Sequence, residues 1–228
     1  MVIDKKFKGL VKEDFRYVFY GNIETTEDLE IDLDMGLFVT GSIEAGRYIK
    51  AGWSIDAGES IKAGEFIEAG ESIEAGGYIK AGEFIEAGWC IKAGWSIEAG
   101  EFIKAGEFIK AGGSIEAGEF IKAGEFIEAG GSIEAGEFIE AGGYYGIVAG
   151  LSITCKDTLS FGLKVFAGIC AWREVTDEEK TITCGKLENG AVGYGILKET
   201  GLEPEDDDRT EEAMKLLREK GYKIIKEK

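Results

Sequence analysis

The groups in this chain that could do chemistry are carboxylates and thiols. The sequence holds 44 Asp and Glu and 4 Cys in 228 residues, with no His. The acids fall in a strict pattern. Glu65, Glu83, Glu101, Glu119 and Glu137 recur every 18 residues, followed by Phe66, Phe84, Phe102, Phe120 and Phe138, with Arg47 and Tyr48 at the head of the series. Two carboxylates can divide acid and base roles when an enclosing pocket pushes their pKa values apart. A regular row instead describes solvated surface, so no catalytic, cofactor-binding or metal-ligating residue is assigned. Without His, imidazole base catalysis and His-ligated zinc are both excluded. Cys90, Cys155, Cys170 and Cys184 form no C-x-x-C pair or metal spacing. No G-x-S-x-G, P-loop or G-x-G-x-x-G run precedes a helix. The Glu/Phe row is therefore read as a candidate partner-binding surface.

The elements that position this row follow from the repeat that carries it. From Ser42 to Gly143 the unit I-x-A-G-x-[S/F/Y] recurs without a slip, with Ile at every sixth position from Ile43 to Ile139. Alternate residues of a strand share a face, so Ile and Ala point inward and the charged residue between them points out. Gly then fits a corner, where positive φ carries no Cβ penalty. A helix is excluded, since period six gives no 3.6-residue stripe. The residue before each Ile sets the coil. Every third repeat gives Ser42, Ser60, Tyr78, Ser96, Ser114, Ser132, then Tyr48 with the Phe row, then Ser54, Ser72, Cys90, Phe108, Phe126, Tyr144. The expectation is an all-β, triangular β-solenoid with three strands and 18 residues per coil, like stacking on like at about 4.8 Å.

Ala-Gly-x-x-Ile-x resembles the motif of the hexapeptide-repeat β-helix superfamily, with the usual sizes of the two inward residues exchanged. The resemblance is strong over 42–143 and weak over 20–198. It implies coils that are usually left-handed; a right-handed three-sided helix, as in bactofilin-like polymer-forming proteins, is the alternative. Many members of the superfamily are acyltransferases and some are zinc carbonic anhydrases. Both activities depend on His, so the resemblance implies the fold without them. Ice binding is set aside, because the outward positions are Glu, Lys, Phe and Ser rather than rows of Thr.

The remainder divides into four parts. Residues 1–41 read as a cap and a degenerate first coil, with inward pairs Ile23/Thr25, Leu29/Ile31 and Leu37/Val39. Residues 42–146 are the regular solenoid. In 147–198 the six-residue step persists irregularly, and S-I-T-C at 152–155 recurs as T-I-T-C at 181–184. A loop insertion near 171–181 would stack the second on the first, for roughly nine coils and a rod of about 45 Å. Residues 199–228 read as an acidic linker and a C-terminal helix through about Lys220, its apolar side Ala213, Met214, Leu216 and Leu217, forming a lid on the last coil or a dimer contact. Cys155 and Cys184 would be stacked and inward, as buried thiols or a disulfide. Cys90 reads as outward-facing and reactive.

The formal charge is −18. Residues 42–143 hold 19 acids against 8 bases, a net of −11. Spread over about 27 Å, that is about one charge per 2.5 Å, against about one per 1.7 Å in duplex DNA. Such a surface avoids nucleic acid and membranes and favours basic partners. The charged N-terminal stretch and the lack of a long apolar run point to a cytoplasmic protein without a membrane span. If the Phe rings lie outside, they join Phe108, Phe126 and Tyr144 in a long apolar patch; otherwise they cover the corners or stack between coils. A lean corner, Gly77, Gly113 and Gly131 beside Ser96, Ser114 and Ser132, would admit another backbone. The functional expectation is a non-catalytic interaction protein presenting its Glu/Phe edge to a basic protein partner, in its sharpest form a DNA-mimic inhibitor of a nucleic-acid enzyme (anti-restriction or anti-CRISPR type). The alternative is self-association, as a dimer or as a bactofilin-like structural polymer.

Overall fold

The computed structural model describes residues 1–142 and 146–201. It is a three-sided stack of parallel strands, in sheets of 10, 11 and 10 strands. The stack is about one coil taller than the nine read from the sequence. The chain visits the three faces in rotation. Face 1 includes Leu29–Ile31, Ile49–Ala51 and Ile67–Ala69; face 2 includes Gly36–Val39, Ile55–Ala57 and Ile73–Ala75; face 3 includes Ile23–Thr25, Ile43–Ala45 and Ile61–Ala63. In the repeats Ile pairs with Ile and Ala with Ala 18 residues on, as in Ile61↔Ile79 and Ala63↔Ala81. Each repeat Ile is fully buried and each repeat Ala nearly so. Truncating one of these Ile to Ala falls among core deletions costing roughly 2–5 kcal/mol.

The ladder does not stop at the corners. Gly82 N–H donates to the Ala63 carbonyl at 3.3 Å, Glu83 N–H to Glu65 at 2.7 Å and Ile85 N–H to Phe102 at 3.0 Å. The corner glycines make this possible, but not through positive φ. Among the described residues no repeat glycine has it; those with positive φ are Gly9, Gly21, Gly168, Gly190, Gly195 and Gly201. A Cβ on Gly100 would instead overlap the carbonyl oxygen of Gly82 one coil below, and the same holds up the column. Glycine is needed because one backbone rests on another there. On the corner between faces 2 and 3 a Ser column helps: Ser114 N–H donates to Ser96 Oγ at 3.3 Å, and Ser132 N–H to Ser114 Oγ at 3.2 Å.

The ends differ. Leu10–Lys12 lies antiparallel on Arg16–Phe19, and Phe7 and Leu10 pack against the end of the core. Ile23, Leu29, Ile31, Leu37 and Val39 are buried as the degenerate coil requires, while Thr25 is half-buried. Beyond the regular region Ile153 pairs with Ile182 and Thr154 with Thr183, so the recurrent I-T-C is stacked; Thr158–Ser160 and Lys164–Ala167 between them continue the other two faces, and the inserted residues follow Ile169. The expected C-terminal helix and Tyr144 lie outside the described residues.

Gly100→Ala is expected to lower unfolding stability in urea by roughly 1–3 kcal/mol, the range for overpacking. Gly52, whose Cβ would meet open space, is the matched control: Gly52→Ala should be neutral or stabilising by up to about 1 kcal/mol. Equal losses at the two positions would refute the backbone-contact explanation.

Candidate docking surface

The outward residue at each strand centre is charged through the repeats, and register decides which charges meet. Face 3 stacks Glu44, Lys62, Lys80 and Glu98; face 2 stacks Glu74, Lys92, Lys110 and Glu128; face 1 stacks Glu86, Lys104, Lys122 and Glu140. The order acid–base–base–acid thus occurs on all three faces. Each lysine turns from the neighbouring lysine towards the glutamate on its other side, at 2.5–3.5 Å. Lys50 bonds Glu68 at 3.0 Å in the same way. Exposed pairs like these contribute roughly 0–1 kcal/mol each. Their larger effect is on the charge pattern, since they occupy every strand-centre lysine of the repeats.

Of the acids left over, Asp56 lies on face 2, Glu59 on the corner between faces 2 and 3, and Glu71, Glu107 and Glu125 on the corner between faces 1 and 2; the other six form a double row. On the corner between faces 3 and 1 stand Glu83, Glu101, Glu119 and Glu137, their backbones joined coil to coil at 2.6–2.7 Å. Beside them on face 3, Glu98 is followed by Glu116 and Glu134. Among the described residues no cation pairs with Glu83, Glu101, Glu119, Glu137, Glu116 or Glu134. Glu98, Glu116 and Glu134 line a shallow groove of about 470 Å³, floored by Gly82, Gly100, Gly118 and Gly136, with Lys80 and Lys156 also on its wall. Glu65 differs from the rest of its row, because Arg47 Nε bonds it at 3.0 Å while also reaching Asp28 at 3.3 Å. Sequence reading named the corner row but missed the face 3 column, visible as Glu three residues before each of Glu101, Glu119 and Glu137.

Tyr48, Phe66, Phe84, Phe102, Phe120 and Phe138 form one continuous stack, centroids 4.8–4.9 Å apart and planes within 5°. Strand spacing sets this geometry. The rings are half-buried with their faces against each other, so the row presents ring edges, which carry the positive part of the aromatic quadrupole, beside the glutamates. Phe108 and Phe126 stack separately at 4.9 Å, on the corner between faces 1 and 2. The expected single apolar patch is thus divided, because the third column turns a different corner from the second.

The most exposed large rings of the regular coils are elsewhere. Trp53 and Trp89 lie on the corner between faces 1 and 2, Tyr78 and Trp95 on that between faces 2 and 3, with Trp95 70% exposed. The corner expected to be lean is therefore interrupted by Tyr78 and Trp95. Reading the column after each Gly, rather than the column before each Ile, would have found the tryptophans.

Cys90 corrects an expectation. It is buried, not outward, its Sγ donating to Ser72 Oγ at 3.2 Å, and burial pushes the thiol up. At the pre-Ile position the small Cys90 side chain lies against the corner, whereas the larger rings of Phe84 and Phe102 are half-buried and Tyr78 is exposed. Cys155 and Cys184 are buried free thiols, Cys155 pushed up to about 12, chiefly by burial. Among the described residues no three His, Cys, Asp or Glu gather as a metal site, and no helix is long and apolar enough to cross a membrane.

Asp56 was not singled out by its spacing. It stacks between Phe38 and Glu74, and burial, then the Glu74 charge, raise its carboxyl to about 6, against the opposing pull of Arg16 and Lys92. Comparison of the chain with protein-family models, with curated proteins and with solved structures gave no match.

The folded state binds the Asp56 proton more tightly than the unfolded chain, so this group favours folding at low pH. That contribution is complete below about pH 4 and lost as pH rises through about 6. Asp56→Asn should therefore be more stable than the parent by ~1–3 kcal/mol above pH 6, with the difference shrinking towards pH 4. Denaturant midpoints across that range check the sign.

Proposed function

We propose that this β-solenoid is a non-catalytic interaction protein whose acidic double row docks on a basic protein surface. The observation that carries this reading is the charge arrangement. Every strand-centre lysine of the repeats is committed to a glutamate one coil away, and of the acids behind the net −11 of residues 42–143, Glu83, Glu101, Glu119, Glu137, Glu116 and Glu134 stand together without a cation among the described residues. Surface made only for solubility would spread that compensation to the corner rows. Successive carboxylates are held one coil apart by the corner ladder, a rigid spacing of about 4.8 Å. The sharpest form of the proposal is imitation of a nucleic-acid backbone, which would inhibit a nucleic-acid enzyme of the anti-restriction or anti-CRISPR type by occupying its phosphate-binding surface. Binding energy then comes from Glu101, Glu119, Glu137, Glu116 and Glu134 with Glu83. The stacked Phe edges serve as a stiff wall beside them, and Glu65 contributes less because Arg47 already holds it. The proposal includes membership of the hexapeptide-repeat superfamily, a left-handed coil, and action in the cytoplasm with no cofactor, no direct nucleic-acid binding and no membrane contact.

A second reading is a self-assembling structural polymer. It is favoured by the strands of the last coil, whose outer edges carry no neighbour among the described residues. The covered N-terminal end opposes it, since head-to-tail growth needs two open ends.

The triple reversal Glu83→Lys, Glu101→Lys and Glu119→Lys tests the first reading. Basic proteins retained by the immobilised parent chain should be displaced by added duplex DNA, and the reversed chain should bind them at least 100-fold more weakly while keeping its far-ultraviolet spectrum. Retention that is unaffected by both DNA and the reversal would exclude the acidic row as the contact.

A further inference from the structure

We infer that Trp53 and Trp89, with the Glu71 carboxylate between them, form a binding site for a quaternary ammonium group. The site lies on the corner between faces 1 and 2 and stands apart from the acidic double row. Along that corner the residues after each Gly read Trp53, Glu71, Trp89 and Glu107, one per coil. Register holds them in a column. The Ile two residues beyond each of the first three pair as Ile55↔Ile73 and Ile73↔Ile91, and Trp89 N–H donates to the Glu71 carbonyl at 2.9 Å. The corner positions of the two tryptophans are therefore two coils apart, about 9.6 Å at a strand spacing of about 4.8 Å. Both side chains are open to solvent, Trp53 43% and Trp89 55% exposed. Glu71 is half-buried in the gap, where its Oε2 accepts from Ser54 Oγ at 3.2 Å.

The spacing selects the ligand. A cation midway lies about 5 Å from each indole, inside the reach of about 6 Å over which a ring face attracts positive charge. A flat ring in contact with both walls, at about 3.5 Å on each side, needs them only about 7 Å apart. Stacking of a base or an aromatic side chain therefore leaves the gap unfilled. A trimethylammonium head is thicker, and it lacks the strongly held water of a bare lysine ammonium, so it loses less on leaving solvent. Glu71 supplies the opposite charge between the walls. The chain does not fill the gap with a cation of its own. On the flanking strand centres Lys50 is paired with Glu68 at 3.0 Å, Lys92 with Glu74 at 3.5 Å and Lys104 with Glu86 at 2.7 Å. Among the described residues the cations over rings are Lys12 at Tyr17 and Arg16 at Phe38, neither at an indole. Trp95 gives the contrast, since its column neighbours Gly77 and Gly113 bring neither a second ring nor a carboxylate.

Titration of the full chain with choline, followed on the indole N–H resonances of its four tryptophans, tests this. The Trp53 and Trp89 signals should shift together and saturate, while those of Trp95 and Trp172 stay in place. The uncharged carbon isostere 3,3-dimethylbutan-1-ol should bind about 10-fold or more weakly, as should choline to Trp89→Ala. Glu71→Gln should weaken choline as well, and Trp95→Ala should not. A trimethyl-lysine peptide titrated in parallel shows by its affinity relative to choline whether the group is presented by a protein or by a small amine, and saturable binding of either supports the inference. Absence of a shift with both, equal binding of the alcohol, or equal movement of all four indoles would overturn it. These three readings come from the parent chain, so they decide even where a variant misfolds.

Discussion

The structure depends on one close contact, repeated at each corner from Gly64 to Gly142: a glycine backbone lying against the carbonyl of the glycine one coil below. Without a Cβ at that point, the hydrogen-bond ladder continues around the turn instead of breaking between strands. Continuous laddering holds successive coils in strict register, and register determines everything on the outside. Identical inward Ile stack into a close-packed core. Identical rings stack face to face, and identical charges are brought as near as the strands themselves.

That last consequence separates scaffold from candidate site. Like charges directly opposed in a ladder cost a few tenths to about 1 kcal/mol per contact. Where lysines occur, the strand centres relieve this through the acid–base–base–acid order, with each lysine leaning outward to a glutamate. The corner row and the neighbouring face 3 column do not. Their repulsion is borne by the core beneath them, which can do so because it is the same uninterrupted Ile and Ala on every coil. That rigid row of unneutralised acids is the feature on which the proposed docking rests.

Much of this was legible in the sequence because a strict period transmits itself directly to space. Coil length, the three faces and the stacking of I-T-C on I-T-C all followed from spacing. The misreadings arose where spacing underdetermines local direction. Gly was assigned positive φ when the operative constraint was a neighbour 18 residues away. Cys90 was placed outside because the pre-Ile spacing does not reveal that its small side chain lies against the corner. The two Phe columns were joined because a linear list does not show that face 1 separates them. The raised carboxyl of Asp56 needed Phe38 and Glu74 brought beside it, and Phe38 lies outside the regular repeat. The lysine pairings show the same limit: composition gives the net charge, but only register shows which acids are left over.

The most direct test of this account is the thermal stability of Glu83→Gln, Glu101→Gln and Glu119→Gln combined, at low and high salt. Neutralising carboxylates that repel one another and meet no cation among the described residues should raise the melting temperature above that of the parent at low salt. The gain should fade near 1 M salt, where the screening length falls to about 3 Å. A melting temperature that falls, or one that does not respond to salt, would mean that these glutamates help to hold the solenoid together and are not an uncompensated surface.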